Sequence, residues 1–275
     1  QLTHLTRVAP HYPGFLGLFF PDFVEVFGLD DFDASIPALQ YFTTLSSSEF
    51  AVRPFIVRYE DRMMRAMREW ARHDNEHVRR LSSEGCRPRL PWGIALQKFK
   101  ADPAPILPIL ERLRADPSEY VRRSVANNLN DIVKDHPDLV LGIARRWLGQ
   151  SAATDQLVKH ACRTLLKRGD QQALELFGQH DAVPVRARLT LAETTISIGG
   201  KLHFDVDIRS DAATPARLEY TIDFVRKGGG SARKIFKIGE RHLPGKSTLH
   251  IERHHRFTDF TTRKHYPGAH RIAIL

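Results

Sequence analysis

Two acidic side chains occupy comparable places in two similar segments of the sequence. Glu84 lies six residues after Val78 in VRRLSSEG, and Asp131 lies ten residues after Val121 in YVRRSVANNLNDIV. Both segments have helical apolar spacing, so both acids fall toward the C-terminal half of a helix. The helix dipole disfavours a carboxylate there by roughly 0.3–1 kcal/mol, which makes the two positions unusual. The simpler interpretation, that each acid lies on a solvated helix surface, stays open.

A tryptophan follows Glu84 closely in the chain. Trp92 occurs in LPWG, between two segments that have helical spacing. An aromatic residue just before a helix commonly packs against the next turn as a hydrophobic staple. The pattern alone therefore predicts a packing role for this indole.

Cysteine and histidine do not form a metal-binding pattern. The chain contains two cysteines, Cys86 and Cys162, which are too few for a disulfide framework or a cysteine-built zinc site. We expect buried, unreactive thiols in a reducing cytosol, with a Cys–His nucleophile pair as the alternative. The histidines of ERHHRF (252–257) and RKHY (263–266) fall in predicted strands, and we assign them to a basic surface. No metal and no cofactor are expected.

The positive charge of the chain is concentrated near its C-terminus. The net charge is +9, and residues 184–275 hold 17 Lys and Arg against 9 Asp and Glu, whereas the rest is nearly balanced. Such a basic segment indicates a polyanion partner such as nucleic acid, although a merely soluble basic domain has the same composition. No apolar run approaches the roughly 18 residues of a membrane span, so no membrane partner is expected. Because the chain starts with Gln1, we expect the native protein to continue upstream.

The segments that carry the two acids repeat along the chain. Up to about residue 180 the apolar residues recur at three- and four-residue steps, as in FIVRYEDRMMRAMREW (55–70), which predicts helices. DNEHVRRL (74–81) aligns with DPSEYVRRSV (116–125) and more faintly with DQLVKHAC (155–162), at intervals of 42 and 39 residues. Two helices per unit of that length are typical of HEAT-like repeats. The apolar stretch FLGLFFPDFVEVFGL (15–29) is either a helical cap or a remnant of a longer N-terminal region.

After HDAVPVRA the helical spacing gives way to alternation. The segments RLTLAETTISIGGKLHFDVDIRS, RLEYTIDFVRKGGGSARKIFKIGE, KSTLHIERHHRF and GAHRIAIL have the pattern of strands separated by turns. Short strands at about ten-residue spacing predict an immunoglobulin-like β-sandwich. The predicted fold class is therefore multidomain, with a HEAT-like α-helical solenoid over residues 1–182 followed by an immunoglobulin-like β-sandwich over residues 183–275.

Basic residues in both parts have structural and functional interpretations. In the repeats, the aspartate before Val-Arg-Arg can cap the second helix or pair with an arginine, which would form a ladder along the stack. Another arginine, on the concave face, can bind a phosphate. The tip RKGGGSARK (226–234) predicts a basic hairpin with a tight glycine turn. Such a tip can clamp phosphates or enter a minor groove, or it can be a plain exposed loop.

Two of these stretches together resemble a known family. WARHDNEHVRRLSSEGCRPRLPWG (70–93) and YVRRSVANNLNDIVKDHPDLVLGIARRWL (120–148) look like the AlkC branch of the bacterial HEAT-repeat DNA alkylation repair glycosylases. The resemblance covers the whole helical part, and the tail is similar to the Ig-like domain that some AlkC proteins carry. It implies a cytoplasmic, nucleoid-associated bacterial enzyme. Its reaction would be hydrolysis of the N-glycosidic bond of cationic alkylated bases, such as 3-methyladenine and 3-methylcytosine.

The resemblance also implies catalytic residues. By position, the catalytic acids of the family match Glu84, Asp131 and, on the short motif SSSEF, Glu49, while the active-site aromatic residue matches Trp92. Carboxylates would stabilise the oxocarbenium-like sugar and orient the attacking water. The indole would stack on, or lie edge-on to, the deoxyribose or the cationic base.

The expected partner is double-stranded DNA that contains alkylated bases, bound by a monomer. The residues assigned to DNA binding are Arg79, Arg87, Arg122, Lys159, Arg163, Arg226, Lys227, Arg233 and Lys234. The alternative is a non-enzymatic HEAT-repeat scaffold that binds nucleic acid or protein, in which Glu84, Asp131 and Trp92 need not converge. Whether the target base is flipped out of the duplex stays open.

Overall fold

The computed structural model describes residues 2–178, 184–260 and 264–275. The chain divides into two compact units, Gln1–Gly178 and Gln179–Leu275. The first unit is helical and the second consists of β-strands, which confirms the predicted fold class. The boundary predicted between residues 182 and 183 lies outside the described residues.

The helical unit begins with a helix over Leu2–Val8, which is α1, and two short 3-10 helices, Ala9–His11 and Gly14–Leu18. Among the described residues, no helix combines the length and the apolar character that a membrane crossing requires. In chain order the α-helices are α1 Leu2–Val8, α2 Phe19–Phe27, α3 Phe32–Phe42, α4 Val52–Arg58, α5 Glu60–Trp70, α6 Glu76–Glu84, α7 Gln97–Ala101, α8 Leu107–Leu113, α9 Glu119–Ile132, α10 Pro137–Trp147, α11 Ala152–Ala161, α12 Arg163–Arg168 and α13 Gln171–Leu176.

The helices pair as the sequence repeat predicts. Contacts join α5 to α6, α8 to α9 and α10 to α11, and the second helix of each pair also packs on the next, α6 on α9 and α9 on α11. The aligned residues Val78, Val121 and Val158 are all buried. The repeated motif therefore marks one row of packed helices, and this row brings α6 and α9, with their acids, side by side.

One predicted helix is divided in two. The segment 55–70 is broken at Tyr59, where the backbone leaves the helical region at φ −128° and ψ 45°. The hydroxyl of Tyr59 donates to the carbonyl of Leu29 at 3.1 Å, and its ring packs edge-on against Phe32. Both halves bury apolar residues in the same core, so the apolar spacing continues across the break and does not reveal it.

A single apolar core runs through the helical unit and includes its N-terminal helices. Phe20 and Val24 of α2 and Leu39 and Phe42 of α3 are buried in it. The stretch 15–29 is therefore part of the folded helical unit, as the interpretation of a helical cap predicts.

The β unit contains two three-stranded antiparallel sheets within the described residues. One sheet has the order β1-β2-β5 and the other β4-β3-β6. Alternate residues of the strands, such as Phe204 and Val206 of β2 and Ile222 and Phe224 of β3, are buried in a common core. The strands are β1 Val185–Leu191, β2 Lys201–Ser210, β3 Thr214–Val225, β4 Ser231–Leu243, β5 Thr248–Arg256 and β6 Arg271–Ile274.

The assignment of the tail histidines to a basic surface is wrong for two of them. His255 and His265 are buried in the sandwich, 7% and 5% exposed. The ring of His255 lies 4.6 Å from that of Phe236, and its Nδ1 is 2.9 Å from the hydroxyl of Tyr220. Both imidazole rings pack against aromatic side chains of the core. The basic composition of the tail does not distinguish such buried histidines from surface ones.

Candidate active site

The two acids from aligned repeats meet on one arginine. Glu84 is the last residue of α6 and Asp131 is the penultimate residue of α9. Arg87 Nη1 donates to Glu84 Oε1 at 2.5 Å, and Arg87 Nε donates to Asp131 Oδ2 at 2.9 Å. The two carboxylates are therefore joined through different nitrogens of one planar guanidinium. All three residues are buried, 5%, 7% and 4% exposed for Glu84, Arg87 and Asp131, so the solvated-surface interpretation of the acids is wrong.

The two ion pairs also explain how carboxylates are tolerated at helix C-termini. Burial alone would lower the pKa of Arg87, but the charges of Glu84 and Asp131 and their hydrogen bonds raise it above its ordinary value. Lys134 Nζ adds a contact of 3.1 Å to Asp131 Oδ1. Nearby cations thus offset the unfavourable dipole interaction of each acid.

Glu49 joins the same group through a second arginine. Arg80 Nη1 donates to Glu49 Oε2, and Arg80 Nη2 lies 3.6 Å from Glu84 Oε1. The guanidinium of Arg80 also lies over the ring of Tyr120, 5.1 Å from its centroid. The three acids predicted as catalytic are therefore linked in one chain of alternating charges, which runs Glu49, Arg80, Glu84, Arg87, Asp131.

A polar layer between α6 and α9 fixes the orientation of Glu84. Ser124 Oγ donates to Glu84 Oε2 at 2.7 Å and lies 3.1 Å from Ser83 Oγ. Asn128 Nδ2 donates to the carbonyl of Ser83 at 2.8 Å. Ser124, Asn128 and Asp131 follow one another at steps of four and three residues, so they share one face of α9. That face is the one that meets α6.

Trp92 stands at the tip of the loop between α6 and α7. The Gly93 amide donates to the carbonyl of Leu90, which closes a turn with Pro91 and Trp92 as its central residues. Trp92 has φ +65°, where glycine is the usual residue, and it is 99% exposed. The predicted staple is therefore wrong, because this indole packs on nothing in the helical unit. A non-glycine residue held at positive φ is strained by roughly 1–2 kcal/mol, and such strain is concentrated at functional sites.

The first arginine of each Val-Arg-Arg motif has a structural environment. Arg79 binds Asp116 of the next repeat through Nε–Oδ2 and Nη2–Oδ1 contacts of 2.7 and 3.0 Å. It also donates to the carbonyls of His73 and Asp74. Arg122 donates in the same way to the carbonyls of Asp116 and Pro117, which precede α9. The pair of Arg79 with Asp116 fits the predicted ladder between repeats, and all three guanidinium nitrogens of Arg79 are occupied by protein acceptors.

The other basic residues assigned to DNA differ in accessibility. Lys159, at the position aligned with Arg79, is exposed on α11, whereas Arg163 is half-buried. Arg163 donates to the carbonyl of His160 and to Asn127 Oδ1. Burial lowers the pKa of Arg163, and the charge of Asp131 partly opposes this effect.

The basic hairpin forms between β3 and β4 as predicted. Its turn spans residues 226–230, with the Arg226 amide donating to the carbonyl of Gly230 at 3.2 Å. Arg226, Lys227 and Lys234 are exposed. Arg233 is also exposed, but it binds Asp223 directly across the strand pair through contacts of 2.8 and 2.9 Å.

Both cysteines are free and buried, as predicted. Burial raises the pKa of Cys86 to about 12 and that of Cys162 to about 11. Neither thiol ionises at neutral pH, so neither has the thiolate character that a cysteine nucleophile needs.

Comparisons with known proteins extend over the whole chain. The family profile described as "DNA alkylation repair enzyme" matches residues 43–165, and the one described as "Uncharacterised protein YhaZ, C-terminal Ig-like domain" matches residues 185–275. "Uncharacterized protein YhaZ" of Bacillus subtilis (strain 168) is 49% identical over 275 residues, which are 100% of this chain and 77% of that protein. The structure of Pseudomonas fluorescens alkylpurine DNA glycosylase AlkC, bound to DNA containing an abasic site analog, matches with a TM-score of 0.93 and 43% identity over 100% of this chain and 77% of that one.

This chain belongs to the AlkC family of DNA alkylation repair enzymes. The match confirms the resemblance that the segments 70–93 and 120–148 indicate. It also confirms that the tail is the Ig-like domain found in this family.

Four side chains around the three candidate acids were not predicted. Ser124 and Asn128 could have been found, because they are polar residues at buried helical positions in phase with Asp131. Arg80 was recognised only as part of a repeated motif, and its partner Glu49 lies 31 residues away in the sequence. Arg53, which is 0% exposed, appears in the sequence as one charged residue within an apolar helix.

One group outside this site has the composition of a metal site. The ligand atoms of Asp205, His250 and Glu252 all lie within 4.8 Å of one another on strands β2 and β5. His250 Nδ1 also binds Asp207 Oδ1 at 2.7 Å, and this hydrogen bond is the main reason that the pKa of His250 is raised. A metal ion at these residues would have to compete with the hydrogen bond between His250 and Asp207.

Proposed function

We propose that this protein is a DNA glycosylase that removes cationic N-alkylated bases, such as 3-methyladenine and 3-methylcytosine, from double-stranded DNA. The observation that carries the proposal is the convergence of Glu84 and Asp131 on Arg87, at 2.5 and 2.9 Å. Membership of the AlkC family and the likeness to AlkC bound to an abasic site analog support the same chemistry. A scaffold protein would have no need to gather buried acids from separate repeats at one point.

The reaction that fits these residues needs no general acid. An alkylated base of this class already carries a positive charge, so it leaves as a neutral molecule when the electron pair of the N-glycosidic bond moves onto it. The sugar then acquires oxocarbenium-like character. A water molecule forms the new bond to C1′ and gives its proton to a carboxylate. The products are the free base and an abasic site.

The carboxylates supply the charge that the sugar lacks. At an effective dielectric constant of about 20, one carboxylate about 4 Å from a unit positive charge stabilises it by roughly 4 kcal/mol. A stabilisation of that size corresponds to about a thousandfold in rate. Arg87 reduces the net attraction but holds both carboxylates in place before the substrate arrives, which is the condition for electrostatic stabilisation without reorganisation.

Trp92 and the exposed cations complete the proposal. The exposed indole offers its electron-rich face to the cationic base, or its edge to the deoxyribose. Exposed basic residues in both units would bind phosphates, and they are Lys159, Arg226, Lys227 and Lys234. Arg79 and Arg87 are better assigned to positions within the helical unit, because they pair with buried acids, whereas Arg122 binds two backbone carbonyls through Nη1.

The direct test is release of methylated bases from alkylated DNA by the purified protein. DNA treated with a methylating agent is incubated with the protein, and the released bases are separated and identified by chromatography and mass spectrometry. We expect 3-methyladenine and 3-methylcytosine to appear, with an equal number of abasic sites in the DNA. Absence of any released base, with DNA binding intact, would favour the scaffold alternative.

A further inference from the structure

Arg53 of α4 is a fully buried arginine close to the candidate site. It is 0% exposed, and burial lowers its pKa to about 10, so it keeps its charge at neutral pH. A buried guanidinium is costly without acceptors, and Arg53 finds them for Nε and Nη1, while Nη2 has no partner among the described residues. The acceptors that Arg53 uses are all backbone carbonyls of one loop.

Those carbonyls lie at both ends of the loop that carries Trp92. Arg53 Nη1 donates to the carbonyls of Gly85 and Arg87, each at 2.9 Å, and Arg53 Nε donates to the carbonyl of Ile94 at 2.6 Å. The first two precede the Trp92 turn and the third follows it. One rigid, planar group therefore fixes the separation of the two ends of the loop.

The packing of the loop around Arg53 is close. A Cβ atom on Gly93, the residue after Trp92, would lie 3.2 Å from both Cδ and Nε of Arg53. The Gly93 amide closes the turn by donating to the carbonyl of Leu90 at 3.2 Å. The residue that ends the strained turn thus rests directly on the arginine side chain.

We propose that Arg53 is a positioning residue that holds Trp92 in its exposed, positive-φ conformation at the candidate site. This inference rests on the proposed function, because it takes Trp92 as the residue that meets the substrate. Arg53 does not touch the substrate, and it acts through the backbone of the loop. The substitution that separates its geometry from its charge is Arg53→Lys, because an ammonium group cannot reach the three carbonyls in the same plane.

The first test reports the conformation of Trp92 without any assay of activity. The three tryptophans are labelled with 5-fluorotryptophan, and Trp92→Phe assigns the fluorine resonance of Trp92. Arg53→Lys should shift or broaden that resonance and leave those of Trp70 and Trp147 in place. Arg58→Lys is the matched control, because Arg58 lies on the same helix and pairs with Asp30 at the surface.

A second variant keeps this test valid if Arg53→Lys does not fold. Gly93→Ala keeps the arginine at position 53, but the added methyl group crowds the Arg53 side chain and displaces it from the loop. This variant should perturb the same Trp92 resonance. An unchanged Trp92 resonance in the folded variants would overturn the inference, whatever the protein does to DNA.

The second test links the loop to base excision. Arg53→Lys should lower the single-turnover excision rate constant by about tenfold to a hundredfold, the scale expected for misplacing a contacting group by about 1 Å. In the Trp92→Ala background the same substitution should change the rate by less than about threefold, because its effect passes through the indole. An equal loss in both backgrounds would show that Arg53 does not act through Trp92. If the wild-type protein excises nothing, the proposed function fails and the fluorine resonances alone judge the positioning role.

Discussion

Arg87 is the residue that defines the candidate site. It was expected to contact phosphate, but it is enclosed between Glu84 and Asp131 and is 7% exposed. Removing one member of a buried ion pair typically costs 3–5 kcal/mol, because the remaining charge is left unpaired. Loss of Arg87 would therefore be costly, because both buried acids would lose this cation at once. The positive charge of Arg87 takes the place of solvating water for the two buried carboxylates. It also fixes their orientation.

The acids themselves give the sharpest prediction at the residue scale. Glu84→Gln and Asp131→Asn keep an oxygen acceptor for Arg87 but remove the negative charge. Each should lower the single-turnover excision rate constant by about a hundredfold to a thousandfold, from a loss of up to roughly 4 kcal/mol of charge stabilisation. The dissociation constant for DNA should change by no more than a few-fold, because these acids are not phosphate contacts.

A matched control for these variants is Glu119→Gln, which neutralises an exposed acid on the same helix as Asp131. It should excise at the wild-type rate. Circular dichroism and thermal unfolding of each variant confirm that the fold is retained. Wild-type rates in both Glu84→Gln and Asp131→Asn would remove the acids from the mechanism.

Trp92 makes a prediction about stability that is separate from function. Its φ of +65° favours glycine, and its side chain is 99% exposed, so no packing is lost on truncation. Trp92→Gly should therefore be more stable than Trp92→Ala by about 1 kcal/mol, since alanine retains the steric penalty at positive φ. Urea unfolding of the two variants measures the difference in the free energy of unfolding. If alanine is as stable as glycine, the turn relaxes to negative φ when the indole is absent.

Side-chain identity could be predicted from the sequence more readily than side-chain environment. The spacing placed Glu84 and Asp131 near helix C-termini, and the family resemblance singled them out together with Glu49 and Trp92. Nothing in the spacing showed that Arg87 lies between two acids, since Asp131 is 44 residues away in the chain. Trp92 was misjudged because a positive-φ turn and a staple share the same pattern of an aromatic residue before a helix.

At the scale of elements, the repeated motif builds the site. The packing of α6 on α9 follows from the aligned valines, and it places the two C-terminal acids within reach of one guanidinium. The bond between Arg79 and Asp116 joins successive repeats at the other end of the same helices. Asp116 Oδ1 also accepts from the Ser118 amide at the start of α9. One carboxylate thus links the repeats and binds the amide of the residue that precedes α9.

This link predicts unequal costs at two aligned arginines. Arg79→Gln should lower the free energy of unfolding by about 3 kcal/mol, because it leaves the Asp116 side chain, 4% exposed, without its cation. Arg122→Gln, the matched variant, removes only bonds to backbone carbonyls and should cost about 1 kcal/mol. Urea unfolding of both variants gives the comparison.

A double variant identifies the cause of that difference. Arg79→Gln with Asp116→Asn should recover part of the lost stability, because no buried charge is then left unpaired. Purely additive losses would show that the ion pair contributes nothing beyond its separate bonds.

The helices and strands could be predicted where the burial of one apolar face determines the spacing of their apolar residues. Helices with a single buried stripe, such as α9 and α10, and the alternating strands β2 and β3 lie where the pattern places them. The break at Tyr59 was missed because it depends on a hydroxyl contact to Leu29, 30 residues away. Local spacing carries no information about such a distant acceptor.

At the scale of the whole molecule, charge and chemistry are divided between the two units. The helical unit carries the candidate acids, and the tail from residue 184 carries most of the net positive charge, 17 basic against 9 acidic residues. Within the tail, several basic side chains are used internally, as Arg233 is by Asp223 and Arg217 by Glu219. The exposed cations of the β3–β4 hairpin are one part of that excess that is free to bind a polyanion.

The hairpin therefore predicts how DNA affinity depends on salt. Each phosphate contact contributes about 0.9 to the slope of log affinity against log salt concentration. Replacing Arg226, Lys227 and Lys234 together by alanine should reduce that slope by about 2 to 3 and weaken binding at low salt. The excision rate constant at saturating DNA should stay unchanged, because none of the three belongs to the candidate active site. The control is alanine at Arg186 and Arg188, two exposed arginines on β1. An equal fall in slope for the control would assign binding to the general charge of the tail, and an unchanged slope in the hairpin variant would exclude the hairpin from the DNA interface.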